Sequence, residues 1–318
     1  MNSNAEFPNE TGRRGEFVRQ SSAFRNRVTA DGSSGFRAEP GRYHLYVSYA
    51  CPWAHRTIIV RAMKGLESVI GMTVVDPIRD ERGWAFTDAV GGPDPLNGFR
   101  FLSEAYHATD PSFAGRLTVP VLWDTETKQI VNNESSEIIR MLNSEFDQWA
   151  TNRDLDLYPE PKREEIDEIN TDVYDHVNNG VYRCGFAASQ EAYDEAFGSL
   201  FAALDRLEER LADRRFLLGD IQTEADWRLF TTLVRFDPVY VGHFKCNLRR
   251  LADYPNLWAY TRDLFQTPGI AETVDLDHIK RHYYVTHRRI NPTGVVPNGP
   301  EIDFLEPHAR EALVAERV

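Results

Sequence analysis

The feature that most limits how this chain can fold is a change of hydrophobic period near residue 150. Before it, short runs rich in β-branched and aromatic residues alternate with helical stripes; after it, only helical stripes remain. Residues 42–49 alternate and predict a strand. Residues 52–65 place Ile58, Ile59, Ala62 and Met63 at helical spacing, with Pro52 suited to the first helical position and Gly65 to the stop. Residues 69–75 predict a second strand, closed by Asp76-Pro77. A long segment containing Gly and Pro follows, 78–116, within which 103–108 suits a short helix. Residues 117–123 and 129–131 predict a hairpin around 124–128. Residues 135–146 predict a helix with Ile138, Ile139 and Leu142 on one face. The polar stretch 152–161 carries two prolines and has the character of a linker. Beyond it, Ile166, Ile169, Val173 and Val177 form one stripe. Tyr193, Phe197, Leu200, Leu204, Leu207 and Leu211 form another. Thr223-Glu224-Ala225-Asp226 is a variant of the capping box, and 257–265 predicts one more short helix.

The first half therefore runs strand, helix, strand, insertion, strand, strand, helix. A βαβ unit followed by a hairpin and a helix is the outline of a thioredoxin-like domain. The expected organisation is an irregular arm (1–40), an α/β thioredoxin-like domain (41–150), a linker (151–161), an all-α helical bundle (162–290) and a tail (291–318). A chain of 318 residues suits two domains, and 42 % apolar with 27 % charged residues excludes wholesale disorder. Lys and Arg number 36 against 49 Asp and Glu, so a formal charge of −13 disfavours nucleic acid and anionic membrane as partners. No apolar run approaches the ~18 residues of a membrane span, and the N-terminus lacks the apolar core of a secretory signal. Cys51, Cys184 and Cys246 are too few and too scattered for a disulfide scaffold or a Cys-rich zinc site, and the reducing cytosol is the expected compartment.

Three local patterns carry chemistry. In Tyr49-Ala50-Cys51-Pro52-Trp53-Ala54 a cysteine stands at a strand-to-helix junction. Unsatisfied N–H groups at a helix N-terminus favour thiolate over thiol, and thiolate is the attacking form. Ala54 stands where a dithiol oxidoreductase has its second cysteine, so a mixed disulfide on Cys51 needs an external thiol, of which glutathione is the abundant cytosolic one. Cys184 and Cys246 are expected to be core residues of the helical half. The second pattern is Val119-Pro120. In a thioredoxin-like domain a proline here is normally cis, leaving the preceding backbone free to pair with an extended peptide. The third is Asn132-Asn133-Glu134-Ser135-Ser136, where Ser135 and helix N–H groups suit a carboxylate and Glu134 suits an amine, the plainer alternative being N-capping by Ser135. His55 invites a role as base for Cys51, which a helix N-terminus makes unnecessary. His278, His282 and His287 lack carboxylate or Cys partners, so no metal site is expected.

Together with the helical second half, these patterns resemble the glutathione transferase superfamily. Cys-Pro-Trp-Ala-His (51–55), Gly83-Trp84-Ala85-Phe86, Asn179-Gly180-Val181-Tyr182, Thr223-Glu224-Ala225-Asp226-Trp227, Arg235-Phe236-Asp237-Pro238-Val239-Tyr240 and Ile290-Asn291-Pro292-Thr293-Gly294 are similar to its xi class, the glutathionyl-hydroquinone reductases. The likeness runs from Gly15 to Pro300. It implies a Cys51 nucleophile and a phenolic proton donor among Tyr182, Tyr240 and Tyr283, with Tyr284 competing for the last role. It implies that Trp84, Arg100, Val119, Glu134 and Ser135 surround glutathione, which acts as co-substrate with no tightly bound cofactor. It also implies a homodimer. An omega-like thiol transferase or dehydroascorbate reductase would use the same Cys51 on a different electrophile. A non-enzymatic scaffold of the same fold is disfavoured by the intact Cys-Pro-Trp-Ala segment.

Overall fold

The computed structural model describes residues 10–315; the parts of the expected arm and tail at 1–9 and 316–318 lie outside the described residues. The chain divides into two compact units. The first comprises Gln20–Asp156 and Thr273–Arg288; the second comprises Leu157–Glu272 with the flanking segments 10–19 and 289–315.

In the first unit, two-residue strands β1 (Val28–Thr29) and β2 (Phe36–Arg37) pair in parallel within the arm. Strand β3 (Tyr43–Val47) is central in its sheet and buried along its whole length, as in a sheet covered on both faces. Helix α1 (Pro52–Met63) crosses over to β4 (Gly71–Val74), which lies parallel to β3. The helix stops where Gly65 takes φ +63°, a left-handed conformation that suits glycine. Helix α2 (Leu102–Thr109) lies in the long insertion. The hairpin β5 (Val121–Asp124) and β6 (Gln129–Asn132) completes a sheet of order β4-β3-β5-β6, with β5 antiparallel to both neighbours. Helix α3 (Ser135–Ser144) follows and packs on α1. This is the thioredoxin-like architecture expected. Strand β5 starts four residues later than the apolar run at 117, because Pro120 cannot donate to a ladder.

Buried charge fixes the end of the sheet opposite to Cys51. Arg42 donates through Nε and Nη2 to the two oxygens of Asp124, at 3.0 and 2.8 Å. Asp124 also accepts from Glu126 N and Thr127 Oγ1, so one carboxylate holds both a strand end and the hairpin turn. Lys64, fully buried, donates to the Leu155 carbonyl and forms an ion pair with Asp147, both at 2.7 Å, tying the end of α1 to the chain leaving this unit.

The second unit is helical, as expected. Helix α4 (Arg163–Asp172) continues into a π-helical turn, Val173–Asn178, and then α5 (Gly180–Gly185), which the hydrophobic stripe does not reveal. Helix α6 (Gln190–Arg210) buries Ala196, Leu200, Leu204 and Leu207. Tyr193 and Phe197, expected on the same stripe, flank it half-buried. The capping box opens α7 (Glu224–Leu233): Asp226 accepts from Thr223 N, Leu217 N and the Tyr260 hydroxyl of α8 (Pro255–Phe265).

Helix α9 (Leu276–Thr286) departs from the expected boundaries. It falls within 162–290 but belongs to the first compact unit. Its buried face is Ile279, His282, Tyr283 and Thr286. The polar members of that face are satisfied by the loop after β4: His282 Nδ1 donates to the Pro77 carbonyl (2.7 Å) and Arg79 N donates to Thr286 Oγ1 (3.3 Å). The short helix α10 (Ala312–Ala315) ends the described chain.

Burial pushes the Asp124 carboxyl up, but the Arg42 pair and the bonds from Thr127 and Glu126 outweigh it and hold it below its ordinary value. A depressed carboxylate stabilises the fold above its unfolded pKa of about 3.9, and that contribution is lost as pH falls below this value. Asp124→Ala should cost about 3 kcal/mol, the low end for a broken buried pair because Glu39 and Glu126 stay near Arg42. Urea midpoints measured at pH 7 and at pH 3 check both points: the wild-type advantage over Asp124→Ala should shrink at the lower pH.

Candidate active site

Strand β3 ends at Val47, and the chain turns so that Cys51 becomes the N-cap of α1, with φ −80° and ψ 120° and Pro52 in the first turn. The half-buried Cys51 thiol donates to the Val119 carbonyl at 3.5 Å. The Val119-Pro120 bond is cis, and among the described residues the Val119 N–H has no hydrogen-bond acceptor. Thiol and free backbone N–H thus belong to neighbouring residues at the ends of two paired strands, the arrangement an extended thiol peptide would require.

The Asn132–Ser136 turn forms the second part of the site. Glu134, not Ser135, is the N-cap of α3, with Oε1 accepting from Ser136 N at 3.1 Å and Ser136 Oγ at 2.9 Å. Its other oxygen accepts from Ser22 Oγ of the arm at 2.9 Å. Burial pushes the Glu134 carboxyl up; these three bonds and the nearby Arg56 charge outweigh it, so it is held below its ordinary value. Ser135 lies in the first turn of α3, where its Oγ accepts from Arg56 Nη1 of α1 at 3.5 Å. The Arg56 guanidinium lies over the Trp53 ring, 4.5 Å from its centroid.

Trp84 and Arg100 are brought together by backbone pairing, Phe86 N to Arg100 O and Leu102 N to Trp84 O, both 2.9 Å. The Trp84 ring is buried and stacks on His282 of α9, centroids 4.9 Å apart at 19°. The Arg100 side chain is exposed. Sequence reasoning missed Arg56 and Ser22. A basic residue one turn into the helix that Cys51 caps was a usable signal for the first. A single serine in an arm without periodicity offered none for the second.

The tyrosines fall in two places. Tyr182 (α5) and Tyr240 lie together in the second unit, ring centroids 6.3 Å apart, in a cluster with Phe17, Phe186 and Phe244. The Arg19 guanidinium lies 4.9 Å from the Tyr182 ring centroid. Tyr283 belongs to the first unit, packed edge-on against His282 and His287. The phenol of half-buried Tyr284 is pushed up by burial. His55 is buried and shares a 2.8 Å hydrogen bond with Thr273 Oγ1, which fits a packing role better than that of a base. Among the described residues no cluster of His, Cys, Asp and Glu suits a metal ion, and no helix is long and apolar enough to cross a membrane.

Two family models match, the glutathione S-transferase N-terminal domain over residues 50–145 and the C-terminal domain over 190–263. The chain is 54 % identical to the glutathionyl-hydroquinone reductase YqjG of Escherichia coli, over 93 % of each chain. It is 55 % identical to the glutathionyl-hydroquinone reductase PcpF of Sphingobium chlorophenolicum, over 90 % of each. The chain belongs to the glutathionyl-hydroquinone reductases, the xi class of glutathione transferases. Solved xi-class relatives have the same fold. The glutathione-bound structure of the Escherichia coli protein superposes with a TM-score of 0.88 at 54 % identity, covering 91 % of this chain and 96 % of that one. The xi-class transferase of Natrialba magadii gives 0.89 at 51 %, covering 94 % and 95 %.

The first unit has one cysteine, Cys51. Cys184 and Cys246 are free, neighbouring thiols in the second unit, 3 % and 0 % exposed. Burial pushes the Cys246 thiol up, and the Cys184 thiol beside it acts in the same direction. Iodoacetamide should therefore modify Cys51 alone in the native protein and all three cysteines after denaturation. Mass mapping of the alkylated peptides checks this; native labelling of Cys246 would contradict the packing described.

Proposed function

We infer that this chain reduces glutathionyl-hydroquinones to hydroquinones with glutathione as co-substrate, and that Cys51 is the nucleophile. The observation that carries the assignment of Cys51 is its place at the N-cap of α1 beside Val119, in a unit with no second cysteine. Such a site forms a mixed disulfide readily but cannot resolve it internally.

The reaction then runs in two transfers. The hydroquinone carbon bearing sulfur takes up a proton, giving a keto tautomer. The Cys51 thiolate attacks the glutathionyl sulfur, the carbon–sulfur bond breaks and its electron pair restores the aromatic ring. The hydroquinone leaves and Cys51 is joined to glutathione by a disulfide. A second glutathione thiolate attacks the glutathione sulfur of that disulfide, releasing glutathione disulfide and restoring Cys51 thiolate. The quinol is reduced by two electrons, drawn from two glutathione sulfurs that end as one disulfide.

We assign the γ-glutamyl end of glutathione to Glu134, Ser135 and the N-terminus of α3, its backbone to Val119, and flanking contacts to Trp84 and Arg100. Two features support this: the unused Val119 N–H, and the depressed Glu134 carboxyl, which suits an ammonium. Proton supply and stabilisation of the keto oxygen fall to the phenols of Tyr182, Tyr240 and Tyr283. The need for reduced glutathione fits a reducing cytosol, and a homodimer is assigned on the family likeness.

Cys51→Ala should abolish turnover while glutathione still binds, and wild type given substrate without free glutathione should carry a glutathione adduct on Cys51 by mass spectrometry. An adduct confined to Cys184 or Cys246 would overturn the assignment. Tyr182→Phe and Tyr283→Phe should lower turnover on glutathionyl-hydroquinones roughly ten- to a thousandfold, the range of one lost acid or oxyanion donor. They should leave reduction of a small mixed disulfide, whose leaving thiolate needs no proton on carbon, within about threefold. A parallel fall on both substrates would make the tyrosines structural.

A further inference from the structure

We propose that segment 22–26 of the N-terminal arm is a positioning element for substrate, with Ser22 orienting Glu134 toward the α-ammonium group of the γ-glutamyl end. Alternate arm residues meet successive residues of the Asn132–Ser136 turn. The Asn26 carbonyl accepts from Asn132 Nδ2 at 2.9 Å. Phe24 exchanges two 3.0 Å bonds with Asn133, its carbonyl accepting from Asn133 N and its N–H donating to Asn133 Oδ1. Ser22 Oγ donates to Glu134 Oε2. Phe24 is anchored against Tyr106 and Phe113, at centroid distances of 5.7 and 5.4 Å. Tyr106 in turn accepts from Asn133 Nδ2 at 3.0 Å. Arg25 pairs with Glu137 on the outer side of the same helix start. The turn is thus held from the arm at every residue from 132 to 134.

The Glu134 carboxylate shows what this achieves. An ionised carboxylate offers about four acceptor positions. Two on Oε1 are taken by Ser136, and one on Oε2 is taken by Ser22. The position left open is on the oxygen that Ser22 holds. Without the Ser22 hydroxyl, Oε2 would have no protein donor to set its direction, and a misdirected acceptor binds an ammonium group poorly. The inference rests on the assignment of Glu134 to the amine, made above.

The test compares Ser22→Thr, which keeps the hydroxyl, with Ser22→Val, which keeps the shape without it. Ser22→Val should raise KM for glutathione and for the glutathionyl-hydroquinone, both of which carry the amine, by about five- to twentyfold, as for a weakened bond to a charged group. Its kcat should stay within about twofold, and Ser22→Thr should stay within about threefold on KM. With desamino-glutathione, which lacks the amine, wild type and Ser22→Val should have equal KM. In a Glu134→Ala background, Ser22→Val should add no further effect. Unchanged KM in Ser22→Val, or an equal loss with desamino-glutathione, would overturn the positioning role. An unchanged glutathione KM in Glu134→Ala would instead overturn the assignment of Glu134 itself. Should Ser22→Val fold poorly, Ser22→Ala gives the same comparison, with the rate of Cys51 alkylation by iodoacetamide showing that the neighbouring site is intact.

Discussion

The site depends on one register. Strands β3 and β5 pair antiparallel with Tyr46 opposite Val121. From Val47 the chain turns into the Cys51 cap, and into Val121 it arrives from the cis Val119-Pro120 bond, so the sulfur and the Val119 carbonyl meet where the two strands end. A slip of one residue would turn the buried faces outward and separate the two groups. Because β3 is paired on both edges and buried throughout, the apolar cost of a slip would fall on the whole sheet. The same register is held at the far end by charge, where Tyr43 faces Asp124 and Arg42 grips that carboxylate. The two ends of β5 are thus fixed by different physics, one by chain geometry and the other by a buried ion pair with two hydrogen bonds.

Three carboxylates differ in how many of their acceptor positions the protein fills. Asp226 is surrounded by Thr223, Leu217 and Tyr260, serves only to close a helix start, and is pushed up by burial. Asp124 spends its oxygens on Arg42 and the hairpin turn. Glu134 sits at a helix start like Asp226 but is held down, and keeps one acceptor position open. Glu134 differs from both in having fewer donors around its carboxylate and in its partial exposure to solvent.

Helix α9 changes the allocation of the candidate tyrosines between the units. It places Tyr283 in the same compact unit as Cys51, whereas Tyr182 and Tyr240 share an aromatic cluster in the helical unit. Its anchoring is polar as much as apolar. His282 stacks on Trp84 and donates to Pro77, so the long insertion after β4 is ordered from outside by a helix two hundred residues later in the chain. The insertion thereby acquires a fixed form although its own sequence supplies only α2, a three-residue 3-10 turn at Asp88–Val90 and a few other turns.

What the sequence determined by itself were the features written in local order. Hydrophobic patterns marked the sheet strands β3 to β6 and helices α1, α3, α4, α6 and α8, loop length suggested α2 and a capping box marked the start of α7, and the order of elements implied the thioredoxin-like unit followed by helices. Cys51-Pro52 at a strand-to-helix junction marked the start of α1 and with it the candidate nucleophile, since capping is decided by adjacent residues. Helix α9 escaped because its inner face is Ile279, His282, Tyr283 and Thr286, which has few apolar members; its partners are a carbonyl and a backbone N–H elsewhere in the fold. The choice of Glu134 over Ser135 as cap of α3 was also not legible, because both side chains can cap, and the bond from Ser22 became visible only in three dimensions. Tertiary structure alone decided the contacts of Arg56, Ser22 and the arm, which join residues more than seventy positions apart, where no periodicity carries information.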